Sequence, residues 1–101
     1  MVRRLKLHEV LCEVLGTRSV YYNPPESVRI NYPAIVYSRK DIDNIHADDS
    51  VYGQMCVYEV TVIDGDPDSE IVGKVSRLPS CRFDRHFVSD NLNHDTFTLY
   101  F

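Results

Sequence analysis

The stretch Gln54-Met55-Cys56-Val57-Tyr58-Glu59-Val60-Thr61-Val62-Ile63 sets Cys56, Tyr58, Val60 and Val62 in alternation with Met55, Val57, Glu59, Thr61 and Ile63. A period of two in a run rich in β-branched residues predicts a strand. Working back toward the N-terminus, Ala34 to Ser38 reads as a second strand, expected to pair with the first as a hairpin. Toward the C-terminus, Phe97, Leu99 and Phe101 alternate cleanly with Thr96, Thr98 and Tyr100. Cys81, Phe83 and Phe87 alternate only loosely with their polar neighbours, and a turn is expected through Asp90-Asn91-Leu92-Asn93. A short β-prone piece, Ser19 to Tyr22, ends at Asn23-Pro24-Pro25, because proline cannot donate to a ladder.

Two helices frame these strands. Leu7, Val10, Leu11, Val14 and Leu15 fall on one helical stripe, and Gly16 supplies a left-handed residue to end it. Asp66-Pro67-Asp68-Ser69-Glu70 is read as the opening of the second, with Asp66 as cap and Pro67 in the first turn. Ile71, Val75 and Leu78 mark its buried side, and Pro79 is expected to stop it. The order predicts an α+β fold: a mainly antiparallel sheet of four to five strands with two helices on one face.

The chain has 101 residues, 44% hydrophobic and 26% charged, the composition of one globular domain spanning 1–101. It contains no run of 18 apolar residues, so no membrane span is expected. His8, Glu9 and Glu13 interrupt the first sixteen residues too often for a signal peptide, which implies an intracellular address. Cys12, Cys56 and Cys81 are far apart and read as reduced cysteines used as small hydrophobes.

Charge is distributed unevenly. In residues 1–40, Arg3, Arg4, Lys6, Arg18, Arg29, Arg39 and Lys40 outweigh Glu9, Glu13 and Glu26 for a net +4. Residues 41–70 carry nine carboxylates and no Lys or Arg, a net −9. Such a block repels phosphate, whereas opposite charges on one protomer suit head-to-tail contact between copies. Between the two hairpin strands, Arg39 to Gly53 forms a connection too long for a compact domain unless it is functional or mobile. It is read as an extended acidic hairpin arm at about 39–53 that contacts a neighbouring subunit. Its candidate interface residues are Arg39, Lys40, Asp41, Asp43, Ile45, Asp48, Asp49, Val51 and Tyr52.

Catalytic and metal chemistry find little footing. Asp64-x-Asp66-x-Asp68 resembles the start of a calcium loop, but Ser69 stands where that loop needs Gly, and Val75 where it needs a bidentate Glu. His46 with Asp41, Asp43, Asp48 and Asp49, and His86 with Asp90, His94 and Asp95, lack the spacing that specifies a metal site. Glycine-rich phosphate loops and nucleophile elbows are absent from the sequence. No enzyme activity, cofactor or metal is expected.

Four segments carry a family resemblance: Tyr32-Pro-Ala-Ile-Val-Tyr-Ser38, Ala47-Asp-Asp-Ser-Val-Tyr52, Tyr58-Glu-Val-Thr-Val-Ile-Asp-Gly-Asp-Pro-Asp-Ser-Glu70 and Asp90-Asn-Leu-Asn-His-Asp-Thr-Phe-Thr-Leu-Tyr-Phe101. Together they resemble the tail completion, or tail terminator, proteins of long-tailed phages and prophages of Gram-positive bacteria. The resemblance implies a virion protein made in the host cytoplasm that forms a ring, a hexamer, on the head-proximal end of the tail tube. There it would stop tube growth and offer the head-joining surface. Its implied partners are further copies of itself, the tail tube protein and a head-completion or connector protein, with DNA passing through the lumen unbound. The order of elements is similar to that of lambda-type tail terminators. Two other readings stand beside it: a head-side stopper or adaptor, and a small metal-dependent hydrolase using the His/Asp sets.

Overall fold

The computed structural model describes residues 2–25, 27, 29–47 and 50–101; for 2, 3, 43–47 and 50–55 it describes the backbone alone. Helix α1, Val2–Leu15, buries Leu7, Leu11 and Leu15, one residue per turn along a single stripe. It ends at Gly16, whose φ of 85° lets its N–H reach the carbonyl of Cys12 at 2.8 Å. Strand β1, Val20–Tyr22, then runs parallel to β2, Ala34–Ala47, with Val20 opposite Ile35. β2 turns back into β3, Ser50–Asp64. A short helix α2, Glu70–Ser76, precedes β4, Cys81–Ser89, and β5, Leu92–Tyr100.

The five strands form one sheet in the order β1-β2-β3-β5-β4, antiparallel except at β1. Register places Tyr37, Val60, Phe97 and Phe83 in one row, and Tyr58, Leu99 and Cys81 in the next. Residues opposite one another share a face. Tyr37, Tyr58, Val60, Val62, Phe97 and Leu99 pack there against Leu7 and Leu11 of α1 and Val75 of α2. Both helices therefore cover one face. The opposite face holds the rows Val36-Thr61-Thr96-Arg85 and Ser38-Glu59-Thr98-Arg82, more polar than the first, with Thr96 and Thr98 of central β5 buried and Arg82 and Arg85 of β4 exposed.

The structure corrects the sequence reading at three places. The second helix begins at Glu70 with Ser69 as its cap, the Ser69 hydroxyl accepting from the Ile71 N–H at 3.3 Å. Asp66 and Asp68 do not open it. The Asp64 carboxylate takes the Asp66 N–H and the Asp66 carboxylate takes the Asp68 N–H, side-chain turns that compete with helix. The helix also stops at Ser76, ahead of Pro79. The hairpin strands do not end at Ser38 and Gln54; they continue to Ala47 and from Ser50. Finally, the β4–β5 connection is a two-residue turn, Asp90-Asn91, with φ of 52° and 62°, a pair of left-handed residues that Asp and Asn tolerate.

Tyr37 joins α1 to the sheet. Only 1% of it is exposed, its hydroxyl lies 2.9 Å from Nδ1 of His8, and its ring tilts against those of Tyr22 and Tyr58. Burial pushes the Tyr37 phenol above its ordinary value, and Arg4 beside it opposes the rise. Burial also raises Tyr58, with Cys56 adding to the effect, and raises the Cys81 thiol. A group held neutral by folding stabilises fully below its unfolded pKa, and that contribution is lost as pH rises through the folded value. The urea midpoint should therefore hold level near neutrality and fall above about pH 9 to 10, where free Cys and Tyr ionise. Tyr37→Phe should make the fall shallower; an unchanged alkaline slope in that variant would assign the effect elsewhere.

Candidate functional site

The hairpin β2–β3 is longer than the sheet that carries it. β5 stays beside β3 only as far as the Val57–Tyr100 pair, and β1 flanks β2 only from Ile35 to Tyr37. Phe101 still donates its N–H to the Cys56 carbonyl at 2.9 Å; beyond it, from Asp43 opposite Met55 to Ala47 opposite Ser50, the chain continues as a two-stranded ribbon. The molecule measures 51 Å along its longest axis against 25 and 23 Å across. A register shift between Arg39 and Asp41 marks where the ribbon leaves the sheet, and a bulge there bends the strand and increases its twist.

The interface candidates fall on this ribbon and its base. Arg39, Lys40 and Asp41 are exposed at the base, with the Asp41 carboxylate taking the Ile42 N–H at 2.8 Å. Asp43 and Ile45 lie further along β2, opposite Met55 and Gly53. Val51, opposite His46, and Tyr52 belong to the first turn-proximal residues of β3. Asp48 and Asp49 lie outside the described residues. Sequence reasoning located the arm as a connection; its strand pairing had no periodic signal, because Asp43-Asn44-Ile45-His46-Ala47 does not alternate apolar with polar residues.

The open side of the sheet holds a polar recess of about 340 Å³ at the base of the arm. Lys40 and Asp41 of β2 face Arg82 and Asp84 of β4 across Thr98 and Tyr100 of β5. Cations and carboxylates balance there, and the Thr98 hydroxyl donates to the Asp84 carboxylate. A second recess of about 370 Å³ is apolar and lies between α1 and the end of β5, lined by Leu7, Val10, Leu78, Pro79, Leu99 and Phe101.

The His/Asp set near the C-terminus is divided by the pleat. His86 Nδ1 and Asp95 Oδ1 meet at 2.8 Å as a cross-strand pair. His94, the next residue along from Asp95, is on the opposite face, stacked on Phe87 with centroids 4.7 Å apart. Its Nδ1 is 3.1 Å from the Leu92 carbonyl. Among the described residues, no three His, Cys, Asp or Glu side chains come together as a metal site would require. Asp64 and Asp66 use their carboxylates on the backbone of their own loop.

One surface escaped the sequence reading. β4 is the last strand of the sheet, and every residue from Arg82 to Ser89 is exposed. Phe83, Phe87 and Val88 are 50%, 37% and 62% exposed. A register shift between Phe83 and Arg85 puts Cys81 and Phe83 on the helix-covered face and Phe87 on the open one. That change of parity is the physical reason for the loose alternation of β4, and the only hint of it in the sequence. No family model, curated protein or solved structure matches this chain. Among the described residues, no helix is long and apolar enough to cross a membrane.

Proposed function

We propose that this chain is a structural protein of the tail terminator kind: copies join head to tail into a ring on the head-proximal end of a phage tail tube, end tube growth and present the surface that the head meets. The observation that carries the reading is the ribbon of the acidic arm, Asp43–Ala47 with Ser50–Met55, which extends past the five-stranded sheet with neither outer edge paired among the described residues. A β-hairpin that projects from its own core gains little from that core and is suited to contact with another chain. The segments resembling tail terminators include the end of the arm, Ala47 to Tyr52, parts of both strands of the hairpin that bears it, and the last strand. The contrast of a +4 and a −9 block supports heterologous contact, which closes into rings or opens into filaments. An acidic rim also lets DNA pass without adhering, since binding requires Lys or Arg to displace counterions. No catalytic group and no cofactor enter this function.

Negatively stained tails assembled without the protein provide the test. They should be of uncontrolled length, and adding the purified chain should cap them; native mass spectrometry of the chain, free or on tubes, should show a ring. Tails of normal length without it, or a strict two-fold dimer both free and on tails, would overturn the proposal. Capture of portal-side rather than tube subunits would place the chain on the head side instead.

A further inference from the structure

We propose that the outer edge of β4 receives the acidic strand of the arm, Asp41–Ala47, from a second copy, which adds to the sheet as a sixth strand beside β4. The inference rests on the reading that copies assemble, and it names the surface by which they do so.

β4 is a nine-residue edge strand with no strand beyond it among the described residues. Its two-residue turn makes Ser89 and Leu92 the hydrogen-bonded pair that closes the hairpin, so the backbone groups of His86 and Val88 point away from β5. Unpaired backbone groups along an exposed edge strand are a template for another chain. Here the strand is long, and Phe83, Phe87 and Val88 are solvent-facing.

Charge selects the occupant. β4 carries Arg82 and Arg85 against Asp84, and Asp84 already accepts the Thr98 hydroxyl. A two-fold pair of β4 strands centred on the strand would set Arg85 against Arg85, which disfavours self-pairing. The arm strand carries Asp41 and Asp43 with no Lys or Arg, and among the described residues its outer edge has no partner, because β1 ends opposite Tyr37. Its seven residues match the length that β4 offers. Strands neighbour one another at about 4.8 Å, which brings the Asp side chains within reach of the Arg side chains. Arm and edge are different surfaces, so the contact is heterologous: every copy gives one arm and takes one, as a ring requires.

Sedimentation velocity over a concentration series, alone and with purified tail tubes, tests this with the full chain. Arg82→Glu with Arg85→Glu should raise the concentration needed for association roughly tenfold or more, and Asp41→Lys with Asp43→Lys should do the same. The chain carrying all four changes should associate again. Val88→Pro, which removes an outward-pointing donor without breaking a β4–β5 bond, should abolish association while leaving the unfolding curve close to that of the parent. Association lost in both charge variants without recovery in the combined chain, or retained in all variants, overturns the β4 site while leaving ring assembly standing. A parent chain that remains monomeric both alone and with tubes overturns both.

Discussion

Phe97→Ala is expected to unfold the protein under conditions in which the parent is stable. Phe97 is fully buried in the centre of β5, opposite Val60 on one side and Phe83 on the other. Its ring meets Phe83 edge-on with centroids 5.5 Å apart. Truncation removes the transfer free energy of the ring and leaves a cavity between sheet and helices, costing about 3 to 5 kcal/mol. A domain of this size has about 5 to 15 kcal/mol in all. At about 4 °C or more per kcal/mol, the melting temperature should fall by at least about 12 °C. Phe87→Ala is the matched control: the same truncation on the open face, where Phe87 is stacked on His94 but still 37% exposed. Calorimetry of the two variants should separate them clearly. Equal losses would mean that the helices cover a different face.

Asp48→Lys with Asp49→Lys should have the opposite profile, leaving folding nearly intact while disabling assembly. Among the described residues, the core draws on β2 as far as Tyr37 and on β3 from Cys56 onward, so it does not depend on the stretch between. Charges outside a core contribute about 0 to 1 kcal/mol each to folding. The two reversals turn Asp41, Asp43, Asp48 and Asp49 from a uniformly acidic stretch into one without net charge. Facing a basic surface, the new lysines bring like-charge contacts that cost several kcal/mol, repeated at every interface of a ring. The double variant should melt within a few degrees of the parent and fail to cap tails. Normal capping, or unfolding as ready as that of Phe97→Ala, would remove the arm from the assembly.

What could be read from the residues alone follows from periodicity. Leu7, Leu11 and Leu15 at four-residue spacing specify a buried helical stripe whatever lies beneath it, and Cys56, Tyr58, Val60 and Val62 specify one covered strand face. Gly16 and the pair Asp90-Asn91 carry the backbone preference their turns need. These signals are local, so the α+β class, the covered face and the C-terminal hairpin were legible.

Tertiary structure decided the features that depend on partners distant in sequence. β1 joins β2 in parallel because its docking site is the edge that residues 34 to 37 expose after β2 and β3 have paired, and three residues cannot announce a direction. Ser69 rather than Asp66 caps α2 because two aspartates capture the preceding backbone N–H groups first. The arm continues as paired strands through a polar stretch because ladder hydrogen bonds are made by the backbone, whatever side chains the strands carry. On β4, one added residue at Asp84 reverses the parity of everything after it, sending Phe87 to the open face and His86 to Asp95. A composition or a spacing cannot encode that reversal, since it exists only in the register of β4 against β5.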